Sequence, residues 1–309
     1  LDGDHITDYV YAGDMFGNVW RFDLTSNTPA NWSASAKPLL ATGLPITSKV
    51  AVAAVPGSGT GANAIPRVMV SFGTGRRLEQ TQSSEAVFES ATQSLFGVWD
   101  WNMTAWNGVA PASAKYAALA TAPQPLAIAN LTAQSITNEG RASSNTAMLR
   151  TVSATAVCWQ GSTVCSSGNT KYGWQLPLST NPGEQVIYNP VIAYGMFIVN
   201  TTIPPSSAAA QALSCNTEVP TGFTMGVSMA TGGAASQSFF STANSNTFPL
   251  LNGGIVSGIG LSGTGSPSIV TAQKRPYIVQ QTVGGTGVVT QIKPGANATG
   301  SRINWIKLR

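Results

Sequence analysis

Charged side chains are scarce in this chain of 309 residues, at 9% of the total, against roughly 25% in an average soluble domain. Twelve residues are acidic and one is a histidine. The polar character comes instead from Ser, Thr, Asn, Gln and Gly, which suits a secreted or cell-surface β protein better than a cytosolic enzyme. The hydrophobic share of 43%, with eight tryptophans, is enough to fill a core.

The chain also lacks any apolar run near the ~18 residues that cross a bilayer, so we expect no transmembrane segment. It has neither an initiator Met nor a signal peptide, and we therefore expect it to be a piece of a longer precursor. The net charge is +4, and no acidic residue follows Glu218. The basic residues beyond that point are scattered and belong to no nucleic-acid-binding module, which argues against nucleic acid as a partner.

Cysteine is rare, with three residues. Cys158 and Cys165, in "CWQGSTVC", are spaced for a local disulfide, and closing this short loop is worth about 2.5 kcal/mol in the chain-entropy model. The alternative is two reduced thiols in a hairpin. Cys215 is then either free or paired outside this chain. Three cysteines and one histidine lack the paired spacings of a tetrahedral zinc site.

Helical periodicity is nearly absent, and short alternating strands joined by Gly-rich turns recur instead. Four strand pairs are predicted, and a further apolar strand often precedes a pair ("KVAVAAV", "EQVIYNPVIAYG", "GSPSIV") or follows one ("RINWIKLR"). Such a unit of about four strands, repeated about four times, predicts an all-β propeller, with a β-sandwich as the rival. The pairs are "YVYAGD" with "NVWRFDL", "RVMVSFGTG" with "SLFGVWDW", "GMFIVNTTIP" with "GFTMGVSMATGG", and "RPYIVQQTVGG" with "GVVTQIKP".

Residues 102–150 interrupt this rhythm. The stretch is rich in Ala, Thr and Asn and contains three prolines, so it is predicted to be a long loop-rich insertion. The tryptophans, by contrast, lie mostly in predicted strands. Packing between sheets explains them better than a sugar-binding platform does.

Five of the twelve acidic residues fall within the first 24 positions. Asp2, Asp4 and Asp8 have spacings that, with the carbonyl of Ile6, can direct oxygens at one centre. Calcium takes six to eight such ligands, and a bound dication would relieve repulsion between the carboxylates. The complete pattern would have another ligand two positions before Asp2, and His5 stands where Gly is usual. The alternative is a solvated acidic turn. The remaining two, Asp14 and Asp23, lie at strand ends and are expected to make turn hydrogen bonds.

Several motifs occur in an order that resembles the C-terminal β-propeller of the type IV pilus tip adhesin and pilus biogenesis family (PilC/PilY type). The resemblance covers nearly the whole chain except residues 102–150 and the tail-like loops. The motifs are "D-G-D-x-x-x-D" at 2–8, "YAGDMFGNVWRFDL" at 11–24, "SFGTGRRL" at 71–78, "LFGVWD" at 95–100, "GWQLPL" and "GEQV" at 173–186, "TTIPP" at 201–205 and "RINWIKL" at 302–308.

The resemblance implies that residues 1–309 are the C-terminal part of one modified, quinoprotein-like propeller domain, with about four blades. It implies an extracellular protein at the pilus tip or the bacterial outer surface that supports pilus assembly, twitching motility and attachment. Its expected partners are pilus-tip minor pilins and a host-cell or abiotic surface. Asp2, Asp4, Ile6 and Asp8 carry over as ligands of a regulatory Ca²⁺.

Two alternatives to this function remain open. One is a non-catalytic propeller that binds sugar or protein without calcium control. The other is a quinone-dependent dehydrogenase, whose blades have a similar Gly-Trp pattern. That enzyme needs a carboxylate base and several charged groups around a planar cofactor, and only four acids follow residue 89: Asp100, Glu139, Glu184 and Glu218. No G-x-S-x-G elbow is present either, so we expect a protein that is not an enzyme.

Overall fold

The computed structural model describes residues 1, 6–32, 36–57, 64–78, 87–142, 147–163, 165–166, 168–205, 220–242, 247–263, 265–281 and 287–293. Helical elements in these ranges are α1 (Thr104–Val109) and the short 3-10 turns Pro29–Asn31, Ala112–Ala114 and Ile128–Asn130. The strands, numbered along the chain, are β1 (Tyr9–Gly13), β2 (Asn18–Asp23), β3 (Lys37–Ala41), β4 (Ala51–Val55), β5 (Arg67–Gly73), β6 (Arg77–Leu78), β7 (Val87–Phe88), β8 (Ser94–Trp99), β9 (Leu126–Ala127), β10 (Thr132–Ala133), β11 (Ile136–Arg141), β12 (Met148–Val152), β13 (Gly173–Pro177), β14 (Val191–Ala193), β15 (Met196–Asn200), β16 (Gly222–Ser228), β17 (Leu250–Leu251), β18 (Gly254–Leu261), β19 (Ser268–Ala272), β20 (Arg275–Gln281) and β21 (Gly287–Gln291).

These strands form four larger sheets within the described ranges. The first has the order β1-β2-β3-β9, and the second has the order β10-β13-β8-β5-β4. The third has seven strands, in the order β11-β12-β18-β16-β15-β14 with β17 also paired to β18, and the fourth is β19-β20-β21. Strands β6 and β7 form a separate hairpin. The protein is therefore all-β, as its sequence predicts.

The four predicted strand pairs are confirmed. β1 pairs with β2, β5 with β8, β15 with β16 and β20 with β21, all antiparallel. The apolar strands that precede the last three pairs add to them at one edge, as β4 on β5, β14 on β15 and β19 on β20. Each of these last three pairs and the strand before it thus form three antiparallel neighbours, as in the blades of a propeller. The predicted strand at 302–309 lies outside the described residues.

Residues 102–150, which the sequence predicts to be a loop-rich insertion, contain regular secondary structure. The stretch contains α1, and its second half supplies strands to three sheets: β9 beside β3, β10 beside β13, and β11 and β12 to the third sheet. β9 and β10 have two residues each, too short to show periodicity. The assignment of all 309 residues to one domain stays a prediction.

Two junctions between sheets are built in the same way. At the end of β1, a Cβ on Gly13 would lie 2.3 Å from the side chain of Ile46, and Ile46 N donates to Asp14 O at 3.0 Å. At the end of β5, a Cβ on Gly73 would lie 2.4 Å from Val186, whose N donates to Thr74 O at 2.9 Å. In both, a β-branched residue of the connection to the next sheet packs on a strand-end glycine.

The connections between sheets also contact one another. Lys49 N donates to Asn189 Oδ1 at 2.9 Å, and Asn189 N donates to Ser266 Oγ at 3.0 Å. Lys49 precedes β4, Asn189 precedes β14 and Ser266 precedes β19. The first strands of the second, third and fourth sheets are therefore held together at their entry points, as expected where blades converge on an axis.

Trp174 of β13 packs between the second and third sheets. Its indole is fully buried, and Nε1 donates to Met229 O at 3.0 Å. The ring lies against Gly97 of the same sheet and Gly232 beyond β16, where an added Cβ would come within 2.3 Å and 2.2 Å of it. The expectation that strand tryptophans pack between sheets is met at this position, because only glycine leaves room for the indole at both contacts.

No helix in the described part of the chain is both long and apolar enough to span a bilayer.

Candidate functional site at the exit of the acidic loop

Of the four predicted calcium ligands, two lie outside the described residues, namely Asp2 and Asp4. Ile6 is 69% exposed, and Asp8 is at the exit of the loop, directly before β1. Within the described ranges, no group of three or more His, Cys, Asp and Glu side chains is arranged to hold a metal ion. The calcium site therefore stays a prediction.

Asp8 is anchored on both its main chain and its side chain. Its carbonyl oxygen accepts a hydrogen bond from Leu24 N at 2.8 Å, which ties the loop exit to the end of β2. Its carboxylate is largely buried, with 12% of the side chain exposed. Burial, and then the charge of Asp8, raise the pKa of Tyr116. Asp8 thus places a largely buried carboxylate at the loop exit, and carboxylate oxygens are donors of the kind that calcium requires.

A buried charge cluster lies next to this exit, and we call Tyr9, Tyr11, Arg21, Asp23 and Asp100 the Arg21 cluster. Arg21 Nε donates to Asp100 Oδ2 at 2.7 Å, and the guanidinium lies 4.4 Å from the centre of the Tyr9 ring. The Tyr11 hydroxyl donates to the same Asp100 oxygen. Because Arg21 is in β2 and Asp100 follows β8, the cluster joins the first and second sheets.

The groups of the Arg21 cluster shift one another's pKa. Burial is the largest single influence and would lower the pKa of Arg21, but the charge and hydrogen bond of Asp100 together with the neighbouring tyrosines raise it overall. Burial, followed by the charge and hydrogen bond of Asp100, raises the pKa of Tyr11 well above its usual value. Arg21 also donates from Nη2 to the carbonyl of Asn102 at 2.6 Å. The cluster thus holds a charged arginine and a neutral tyrosine against one fully buried carboxylate.

Residues 102–118 pack next to the exit of the acidic loop and the Arg21 cluster. Met103 and Trp106 form a small apolar cluster with Val68, against which Leu1 and Tyr9 pack. Trp106 Nε1 donates to the carbonyl of Ala114 at 2.9 Å, which folds the segment back on itself. The stretch that the sequence predicted as an insertion therefore packs on the exit of the acidic loop.

The two other acids of the N-terminal group make turn hydrogen bonds, as predicted. The Asp14 carboxylate accepts hydrogen bonds from Phe16 N, from Asn18 N and Nδ2, and from Trp20 Nε1, all at 2.8–2.9 Å. Burial opposes this charge, but the bonds from Trp20 and Asn18 outweigh it and lower the pKa of Asp14. Asp23 accepts from Thr25 N and Oγ1 at 3.0 and 2.6 Å.

A second buried cluster, which the sequence did not reveal, surrounds Arg150 in the third sheet. Arg150 contacts Glu184 at 2.7 and 2.9 Å and Glu139 at 2.6 Å, and its guanidinium lies 3.6 Å from the centre of the Phe223 ring. Thr201 Oγ1 donates to Glu184 at 2.6 Å. The sequence held one sign of this cluster: Arg150 lies in a strand and Glu184 in "GEQV", each without a charged neighbour in a chain that has few charges.

The predicted disulfide is present. Cys158 and Cys165 are bonded, with their Cα atoms 5.6 Å apart. Cys215 lies outside the described residues, and its pairing stays a prediction.

The sheet order and the repeated junctions between sheets define a β-propeller of non-standard form. The number of blades stays a prediction, because the third sheet holds seven strands and the fourth three.

Comparisons with known proteins place the chain within this class. Residues 1–121 match the family model described as the PilY1 beta-propeller domain. The chain is 28% identical to the type IV pilus biogenesis factor PilY1 of Pseudomonas aeruginosa, over 98% of this chain and 26% of that protein. It is 27% identical to a PilY1 homolog of Xylella fastidiosa, over 97% of this chain and 21% of that protein.

The crystal structure of the Pseudomonas aeruginosa PilY1 C-terminal domain shares the fold. It superposes with a TM-score of 0.64 at 22% identity, covering 94% of this chain and 58% of that one. The resemblance to pilus biogenesis proteins of the PilC/PilY type, and specifically to the C-terminal propeller of PilY1, is confirmed. The chain spans about a quarter of the length of the curated relatives it matches.

Proposed function

We propose that this chain is part of a pilus-associated factor, exposed at the pilus tip or the outer surface, that supports pilus assembly, retraction and attachment. The observation that carries the proposal is the similarity to PilY1 over 98% of the chain, together with a family match whose first residues are those of the acidic loop. The relatives are named as pilus biogenesis factors. We infer a role without catalysis, with minor pilins and a host-cell or abiotic surface as partners.

Calcium is the proposed regulator. Asp2, Asp4 and Asp8 would supply carboxylates and Ile6 a backbone carbonyl, a donor set suited to a hard cation. When bound, the ion would supply positive charge that offsets repulsion between the three carboxylates. The main-chain bond between Asp8 and Leu24 at 2.8 Å supports this assignment, since it ties the loop exit to β2.

The Arg21 cluster provides a route from the loop to the body of the protein. Tyr9 follows Asp8 directly and packs under the guanidinium of Arg21. Arg21 in turn binds Asp100 of the second sheet at 2.7 Å. A change in the order of the loop would therefore act on the boundary between the first two sheets, and through it on twitching motility and attachment.

Calorimetric titration of the full-length protein with calcium tests the proposal. We expect saturable binding below millimolar calcium that is lost in Asp4→Ala and retained in Asp14→Asn, an acid outside the Arg21 cluster that is engaged in turn hydrogen bonds. Cells that carry Asp4→Ala at normal protein levels should show altered twitching. Wild-type thermal stability that does not respond to EDTA would instead favour the propeller without calcium control.

A further inference from the structure

Arg67, the first residue of β5, lies in an aromatic corner of the second sheet. It is 4% exposed, and its guanidinium lies 5.2 Å from the centre of the Trp99 ring and 4.8 Å from that of Trp159. The two indoles meet edge to face, with their centres 6.2 Å apart. Tyr172 stacks against Trp99 at 6.3 Å. The cation therefore lies in the angle between two perpendicular rings.

The other two buried arginines, Arg21 and Arg150, have carboxylate partners, and Arg67 has none among the described residues. Arg21 pairs with two carboxylates, Asp100 at 2.7 Å and Asp23 at 3.5 Å. Arg150 also pairs with two, at 2.6 and 2.7 Å. Among the described residues Arg67 forms no such ion pair, and its Nε is fully buried with no hydrogen-bond acceptor. Burial lowers the pKa of Arg67.

The aromatic contacts offset only part of the cost of burying this charged side chain. They give the buried Nε of Arg67 no hydrogen-bond acceptor, so that donor stays unsatisfied. The site is thus polar, positive and incomplete.

A second unpartnered donor lies at the same end of the sheet. Trp101 Nε1 is buried and has no hydrogen-bond acceptor in the described part of the chain. The β5–β8 pairing sets Met69 opposite Trp99, and Asp100 N donates to Val68 O at 2.9 Å. Continuing this register places Arg67 opposite Trp101. Two N–H donors without acceptors therefore occupy facing positions on β5 and on the segment that follows β8.

We propose that Arg67 and Trp101 form a binding site for a carboxylate group. A planar guanidinium matches the two oxygens of a carboxylate and binds it more tightly than a neutral acceptor. The Trp101 N–H supplies a further donor, and the rings of Trp99 and Trp159 supply apolar walls. The carboxylate comes either from a small organic acid or from an acidic side chain of a peptide.

The test is NMR of the ¹⁵N-labelled protein, following the side-chain N–H signals of Arg67 and Trp101. The probes are sodium acetate, an N-acetylated, amidated glutamate peptide, and sodium chloride at equal ionic strength. We expect saturable shifts of both signals with the carboxylates and not with chloride. Tighter binding of acetate assigns the site to small acids, and tighter binding of the peptide assigns it to a protein partner.

Substitutions complete the test. In Arg67→Met the Trp101 shift should be lost, while Arg275→Met, which removes an exposed arginine, should leave it unchanged. Trp101→Phe keeps an aromatic ring and removes the donor, and it should weaken carboxylate binding at least tenfold as read by the Arg67 signal. An equal response to chloride, no saturation in the wild type, or unchanged binding in Trp101→Phe would overturn the proposal.

Discussion

Arg150 and Glu184 form a two-point ion pair, with Nη1 2.7 Å from Oε1 and Nη2 2.9 Å from Oε2, and both side chains are fully buried. Arg150 is in β12 of the third sheet. Glu184 belongs to the connection from the second sheet, where the adjacent Gln185 exchanges main-chain hydrogen bonds with Thr202 at 2.7 and 2.9 Å. The pair therefore ties the connecting segment to the sheet that follows it.

Replacing Glu184 should weaken folding strongly. Glu184→Gln removes the fully buried carboxylate that binds Arg150 at two points and leaves the partly exposed Glu139 as its remaining carboxylate partner, for which we expect a loss of about 3 kcal/mol in the free energy of unfolding. Urea denaturation measures it. The matched control is Glu139→Gln, because Glu139 is 15% exposed and water can compensate in part. An equal loss in the two variants would contradict the central role of Glu184.

Alkaline pH should destabilise the protein through Tyr11. Its pKa is raised in the folded state by burial and then by Asp100. Above pH 10 an unfolded chain therefore releases the tyrosine proton while the folded chain keeps it, so stability falls as pH rises, by up to about 1.4 kcal/mol per pH unit. Below pH 10 this residue contributes no pH dependence. Tyr11→Phe should reduce the slope between pH 10 and 12 in denaturation curves, and an unchanged slope would count against it.

Glycine at position 97 should be irreplaceable. In Gly97→Ala the new Cβ would lie 2.3 Å from the fully buried indole of Trp174, and overpacking of this kind costs about 1–3 kcal/mol. Gly108 in α1 is the control, since no atom lies within 4 Å of a Cβ there. Gly108→Ala should be neutral or stabilising by up to about 1 kcal/mol. Thermal unfolding compares the two, and similar midpoints would refute the packing argument.

Loss of the Cys158–Cys165 disulfide should lower the stability of the protein and change the surroundings of Trp159. Cys158→Ser removes the constraint on a short loop and should cost about 2.5 kcal/mol in the chain-entropy model. Trp159 lies inside that loop and packs on Trp99 and Arg67, so we also expect a change in tryptophan fluorescence. Added reductant should reproduce both effects in the wild type and have no further effect in the variant. Unaltered stability and fluorescence would show that the loop is held by other contacts.

Local patterns in the sequence were sufficient for several features. The alternation around Trp20 and the turn chemistry of Asp14 predicted the β1–β2 hairpin and its hydrogen bonds, because both depend on residues close in the chain. The spacing of Cys158 and Cys165 likewise predicted the disulfide. The acidic loop could be proposed from spacing alone, and its ligand set stays a prediction.

Contacts between distant segments could not be read in this way. Arg21 and Asp100 are 79 residues apart, and neither carries a local sign of its partner. The strands β9 and β10 have two residues each, so their positions depend on the neighbouring strands β3 and β13 rather than on their own propensity.

The amino-acid sequence by itself determined the all-β class, the four antiparallel strand pairs and the local disulfide, since hydrophobic alternation and turn residues act over a few positions. Only the tertiary structure decided where the few charges would be buried and which strands residues 102–150 would join. A buried ion is stable only beside a partner that the packing of separate sheets brings to it. The same packing left Arg67 among tryptophans without a carboxylate.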